Sequence, residues 1–132
     1  MRIEQYGQAA CSVPANSSFV LVDLSLRAVG DGPRGEADCR YHIGAFRGRT
    51  VSWSVEHQPE LAIRLRIPRE KFRENEDLRL EVLDKTSQAV LWSRVWKTAW
   101  QGDRPVVLSA DEEAGSPEEW SVRPRRYRAS ED

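Results

Sequence analysis

The sequence predicts an all-β protein, an antiparallel β-sandwich of about seven or eight strands. Three observations favour this fold class. Apolar and polar residues alternate along several short segments, clusters of Gly, Pro, Asn, Asp and Ser separate these segments, and no segment has the apolar period of an amphipathic helix. With 132 residues, of which 39% are hydrophobic, the chain is expected to form one domain.

The predicted elements follow one another with little intervening chain. Residues 1–17 are expected to form an irregular arm with a short edge strand over residues 2–6, because Gly7 and Pro14 interrupt the pattern. Residues 19–28 alternate apolar and polar side chains, which predicts a strand with one buried face. The other predicted strands cover residues 39–46, 50–56, 61–67, 78–82, 89–100 and 105–109, and residues 120–122 fit a last short strand.

Glycine and proline mark the ends of these strands. Residues 30–35 contain three glycines and a proline and predict a turn. Residues 47–49 predict a short hairpin connection around Gly48, and Pro68 ends the strand before it. Residues 69–77 are mostly charged and predict a single helical turn or a solvated loop.

The carboxy-terminal residues differ in composition from the rest. Residues 111–132 carry seven acidic and four basic side chains, which predicts an acidic linker followed by an Arg-rich, flexible tail. The sandwich domain is therefore assigned to residues 1–110.

The charge balance argues against nucleic acid as a partner. Lys and Arg number 20 against 21 Asp and Glu, so no overall field attracts polyanions. No membrane partner is expected, because the chain lacks a run of about eighteen apolar residues. The first residues also lack the basic-then-apolar order of a secretory signal, and the two cysteines are expected to be reduced thiols, which together indicate a cytoplasmic protein.

A stripe of tryptophans in the long strand at residues 89–100 supplies the candidate binding residues. A period of two places Trp92, Arg94, Trp96 and Trp100 on one face of that strand. The indoles either belong to the core, with Arg94 at its rim, or form an exposed aromatic platform of the kind found at protein interfaces. Such a platform also suits stacking of sugars or unpaired bases.

Cysteine and histidine offer little support for a catalytic or metal site. Cys39 and His42 have a C-x-x-H spacing, but strand alternation places them on opposite faces, and Cys11 and His57 stand alone in the sequence. No phosphate-binding glycine motif occurs. We therefore predict no cofactor, no metal and no catalytic residue, and keep a small hydrolase using Cys39 and a histidine as an alternative.

The arginines of residues 64–79 predict a mixed, solvated face. Arg64 and Arg66 share a face of their strand, but acidic residues intersperse the arginines that follow.

Residues 78–84, with the later apolar strands and residues 118–122, resemble the closing strands of small accessory sandwich domains in prokaryotic signalling and conflict proteins, where these lie beside caspase-like or NTPase modules. That resemblance implies a role in binding a partner. The order Cys11, Cys39, Trp53 departs from the Cys-Trp-Cys order of immunoglobulin domains. The layers are accordingly expected to be similar to those of immunoglobulin or C2 domains, without membership of either family.

These observations favour a non-catalytic protein–protein interaction module, an adaptor or assembly subunit of a larger complex in prokaryotic signalling or defence. Its partner is expected to be another protein or a second copy of this chain, bound through the tryptophan face. The alternatives are a sandwich that stacks carbohydrate or single-stranded nucleic acid on that face, and the small hydrolase.

Overall fold

The computed structural model describes residues 1–109, and these form the predicted all-β sandwich of two antiparallel sheets. A single turn of 3-10 helix, Arg69–Lys71, occupies the charged segment that predicted a helical turn. The described residues contain no helix long and apolar enough to cross a membrane. The strands are β1 (Arg2–Ser12), β2 (Phe19–Val29), β3 (Glu36–Ile43), β4 (Phe46–Arg47), β5 (Val51–Ser54), β6 (Glu60–Pro68), β7 (Asp77–Asp84), β8 (Val90–Gln101) and β9 (Arg104–Ser109).

Residues 110–132 lie outside the described residues. The predicted strand at residues 120–122, the acidic linker and the Arg-rich tail fall within that part of the chain.

The two sheets differ in size. The smaller sheet has the strand order β1-β2-β6, and the larger has the order β4-β3-β7-β8-β9, with β5 also paired to β3. β1 packs near β8 and β9, so the sandwich is closed along that side. On the opposite side, β6 and the β4–β5 segment are the outer strands of their sheets among the described residues. The sandwich is therefore asymmetric, with one closed side and one open side.

The amino-terminal arm is more regular than predicted. β1 pairs with β2 along its length, and its register shifts between Tyr6 and Ala10. Gly7 lies in this shift with a φ of 72°, a left-handed conformation that glycine adopts without a steric penalty. The residue that suggested an interruption thus forms a β-bulge within a continuous strand.

The predicted hairpin connection at residues 47–49 is also corrected by the structure. The turn lies earlier, because Ile43 pairs directly with Phe46 across Gly44 and Ala45. β4 and β5 then both pair with β3, on the edge that β7 does not occupy, as one strand interrupted at residues 48–50. Residues 48–50 lie opposite only Arg40 and Tyr41 of β3, so the interruption contains one extra residue, as a β-bulge does.

The core lies between the inward faces of the two sheets. β2 buries every second side chain, as its alternation predicts, and β6 does the same. Full burial of each such aliphatic side chain contributes about 1.5–3 kcal/mol relative to exposure. The buried apolar residues include Val20, Val22, Leu24, Leu26, Leu61, Ile63, Leu65, Ile67, Leu78, Leu80, Val82, Trp53 and Trp96.

Candidate functional site

The four predicted binding residues do share one face of β8, and that face points into the sandwich. Trp96 is 3% exposed and belongs to the core cluster. Trp92 and Trp100 are half-buried and pack against the same cluster. Trp96 therefore has no free ring face on which a sugar or a base can stack.

Trp100 lies at one end of the sandwich, in a local cluster with the turn that follows β6. Its Nε1 donates a 2.6 Å hydrogen bond to the carbonyl oxygen of Phe72, and the two rings meet edge to face with centroids 5.6 Å apart. The guanidinium of Arg69 lies 5.1 Å from the centre of the indole. These contacts give Trp100 a structural role in closing this end of the core.

Arg94 occupies the seam between β1 and β9. Its Nη1 donates a 2.9 Å hydrogen bond to Oε1 of Gln5, and its Nη2 donates a 2.9 Å hydrogen bond to Oγ of Ser109. Its guanidinium also lies 5.6 Å from the ring centre of Trp96. The side chain thus connects an edge strand of each sheet.

Among the described residues, the guanidinium of Arg94 lacks a partner for one of its hydrogen-bond donors and a carboxylate to balance its charge. Its Nε is buried and has no hydrogen-bond partner there, and no described carboxylate forms an ion pair with it. An unsatisfied buried donor costs about 1–3 kcal/mol, and more when the group is charged. A carboxylate is the natural complement of this group, because it accepts two parallel hydrogen bonds from a guanidinium.

A cleft of about 310 Å³ opens beside Arg94. The bulge at Gly7 forms one wall, and Val107 and Leu108 of β9 form the other. Leu108 is 42% exposed although it is a large apolar residue. The cleft therefore offers apolar contact from Val107 and Leu108 and is also lined by Arg94.

Within residues 1–109, β9 pairs with only half of the β8 edge next to this cleft. β9 pairs with Trp96–Gln101, and no described strand pairs with residues 90–95 on that side. Val90 is 56% exposed and Leu91 is 37% exposed at the beginning of this half. With Leu108, they are the large apolar side chains classed as exposed in the described part of the chain, and all three lie on β8 and β9.

The cysteines and histidines do not form a nucleophile–base pair in the described structure. Cys39 is fully buried on the inward face of β3, and His42 lies on the opposite face of the same strand. Burial, reinforced by the nearby charge of Asp38, raises the pKa of the Cys39 thiol to about 12, so the reactive thiolate is scarce at neutral pH. His57 is exposed on a turn, beside Glu56.

Over residues 1–109, no group of three or more His, Cys, Asp or Glu side chains converges as a metal site. The free thiol of Cys11 is partly buried, and its pKa is raised to about 11 by burial and by the charge of Asp23.

Sequence reasoning placed Arg94 and Trp96 on one face but missed two features beside them. Gln5 and Ser109, the hydrogen-bond partners of Arg94, lie far from it in the chain, and no local pattern connects them. The difference in length between β8 and β9 within residues 1–109 was in principle visible, since residues 89–100 predict a strand about twice as long as residues 105–109.

Comparison with known proteins adds no family to this description. No protein-family model, curated protein sequence or solved structure matches this chain.

Proposed function

We propose that this chain is a non-catalytic protein-interaction module, an adaptor or assembly subunit, and that its partner binds along residues 90–95 of β8. The observation that carries the proposal is the half of β8 that has no described neighbour and that exposes Val90 and Leu91. An edge of this kind is a ready template for a strand of another chain.

The chemistry of this edge indicates what the partner presents. A carboxylate in the cleft would lie near the charge of Arg94, which has no acidic partner among the described residues. Apolar side chains on the partner cover Val90, Leu91 and Leu108, at about 25 cal/mol for each Å² removed from water. The partner segment is therefore an extended one with apolar residues and at least one acidic residue.

The proposal includes a cytoplasmic location and a role in signalling or defence complexes. Cys11 and Cys39 are free thiols in the structure, which suits a reducing compartment. The signalling role rests on the resemblance of residues 78–84 and the later strands to accessory sandwich domains.

Photo-crosslinking in the cells that naturally make the chain tests this proposal. A benzoylphenylalanine that replaces Leu91 is expected to capture a discrete protein, whereas the same group at Ala45 is expected to capture none. Ala45 is exposed on the β3–β4 turn at the opposite end of the larger sheet, which makes it a matched control. Equal adducts at both positions would contradict the proposed interface.

The captured partner then permits a quantitative test with purified proteins. Leu91→Asp is expected to raise the dissociation constant about tenfold or more, which corresponds to about 1.4 kcal/mol, because it places a charge in the apolar contact. Ala45→Asp adds the same charge elsewhere and is expected to leave the affinity unchanged. Unchanged affinity for Leu91→Asp, with both variants folded by circular dichroism, would refute this interface.

A further inference from the structure

A second surface lies on the open side of the sandwich, away from Arg94 and β9. A groove of about 440 Å³ runs between β6 of the smaller sheet and the β3–β5 region of the larger sheet. Tyr41, Phe46 and Val51 supply apolar and aromatic surface to this groove. Four arginines also line it: Arg47, Arg49, Arg64 and Arg66. We call it the arginine groove.

The positive charge of the arginine groove is not neutralised by the described residues. One of the four arginines, Arg64, forms two hydrogen bonds with the carboxylate of Asp23, at 2.7 and 3.1 Å. Arg47, Arg49 and Arg66 have no such acidic partner in residues 1–109, and the guanidinium of Arg66 instead lies 4.0 Å from the ring centre of Phe19. Uncompensated guanidinium groups around an apolar floor favour a ligand that carries carboxylates.

The backbone of β6 supplies an independent observation. The hydroxyl of Tyr41 donates to the carbonyl oxygen of Arg66 at 3.2 Å and accepts from the Arg66 N–H at 3.1 Å. Both polar groups of Arg66 therefore point away from β2. Alternate residues of an antiparallel strand point the same way, so Ala62 and Arg64 also direct their N–H and C=O groups outward.

These outward groups have no neighbouring strand among the described residues, because β6 is the last strand of its sheet. Glu60, Ala62, Arg64 and Arg66 also place exposed side chains on one face of β6. An extended chain laid beside β6 would pair with the backbone groups of Ala62 and Arg64 and run along the arginine groove.

We propose that the arginine groove binds an acidic, extended peptide segment of a partner protein, which adds as a strand beside β6 and places carboxylates against Arg47 and Arg49. A peptide satisfies both observations, since its backbone pairs with β6 and its side chains supply the charge. A nucleic acid would supply the negative charge but has no peptide backbone to pair with β6. This site is separate from the β8 edge and does not depend on the function proposed there.

Fluorescence anisotropy with the full chain tests the proposal. The probe is a synthetic peptide in which Glu and Val alternate over about eight residues, and the comparison peptide has Lys in place of each Glu. We expect the acidic peptide to bind, with an affinity that falls as salt is added, and the basic peptide not to bind. Equal binding of both peptides, or binding of neither, would overturn the proposal.

Two kinds of variant distinguish the contribution of charge to peptide binding from the contribution of strand pairing. The double variant Arg47→Gln with Arg49→Gln is expected to weaken binding of the acidic peptide about tenfold or more. Arg104→Gln is the matched control, because Arg104 is an exposed arginine without a described acidic partner at the other outer strand of the larger sheet. We expect Arg104→Gln to leave the affinity unchanged, and an equal loss in both would overturn the proposed location.

Ala62→Pro tests the strand addition itself. Proline removes an N–H that has no partner in the described fold, and outer strands tolerate it, so the variant is expected to remain folded by circular dichroism. It is expected to weaken peptide binding about tenfold. In the unmodified chain, bound peptide is expected to slow hydrogen exchange of the Ala62 and Arg64 amides. Unchanged affinity in folded Ala62→Pro, together with unchanged exchange, would refute strand addition.

Two further measurements fix the class of ligand and the identity of the site. An oligonucleotide of equal charge that competes as well as the acidic peptide would overturn the peptide assignment. Leu91→Asp is expected to leave peptide affinity unchanged, because Leu91 lies on the β8 edge. A loss of peptide affinity in Leu91→Asp would place the peptide at the β8 edge and refute the arginine groove.

Discussion

Replacement of Gly48 by alanine tests how closely the interrupted edge strand packs on Tyr41. A Cβ at position 48 would lie 2.6 Å from Cε1 of the Tyr41 ring and closer still to its Cζ and Cε2. Gly48 is not among the residues with positive φ, so the cost of the substitution comes from this overlap and not from the backbone conformation.

The expected loss of stability has two parts, the cost of overpacking and the loss of the hydrogen bonds made by Tyr41. Overpacking of a filled site costs about 1–3 kcal/mol. Displacement of the ring also withdraws the Tyr41 hydroxyl from the N–H and C=O of Arg66, and each such bond contributes a net of about 0.5–1.5 kcal/mol. Gly48→Ala is therefore expected to lower the free energy of unfolding by about 4 kcal/mol.

Urea denaturation followed by tryptophan fluorescence measures this loss. Gly35→Ala is the matched control, because a Cβ at position 35 meets no atom within 4 Å, and we expect it to change the stability by less than about 0.5 kcal/mol. In a Tyr41→Leu background, the ring atoms that meet the new Cβ are gone, so Gly48→Ala is expected to cost much less there. An equal cost in both backgrounds would refute the packing argument.

Three further predictions concern the core, the thiols and the link between the sheets. Trp96→Ala is expected to destabilise the fold by about 3–5 kcal/mol in urea denaturation, because the indole is buried, and a smaller loss would contradict its place in the core. Burial raises the pKa of Cys39 from 9.0 to about 12, so above about pH 9 the native chain holds a proton that the unfolded chain releases. The free energy of unfolding should therefore fall as the pH rises above about 9. The slope of this fall with pH should be shallower in Cys39→Ala. An unchanged slope would show that the thiol does not contribute. Tyr41→Phe removes both hydrogen bonds to Arg66 and is expected to cost about 1–3 kcal/mol, whereas no change in the denaturation midpoint would show that the hydroxyl does not stabilise the contact between the sheets.

Most of the sandwich could be predicted from alternation alone. β2, β6 and β7 each bury every second side chain along most of their length, and their predicted cores agree with the observed ones. β1 and the β4–β5 segment were harder, because each contains a bulge next to a glycine, and a glycine in a sequence indicates a turn as readily as a bulge.

The candidate sites depend on contacts between distant parts of the chain. A period of two correctly placed Arg94 beside Trp96, but the missing counter-charge depends on what β1 and β9 bring to the seam. Arg66 was expected in a mixed, solvated face. Its proximity to Arg47 and Arg49 follows from Tyr41, whose hydroxyl joins the two sheets across residues that are 25 apart in sequence.

The two-way contact of the Tyr41 hydroxyl also bears on how copies of this chain meet. At Arg66, one hydroxyl does what the peptide group of a neighbouring strand would do, so the outer strand of the smaller sheet is already closed at that residue. A second copy approaching this edge in antiparallel fashion with Arg64 opposite Arg64 would place like charges against each other, which repel. Strand pairing between identical molecules is therefore disfavoured in that register, whereas a chain of opposite charge meets no such repulsion.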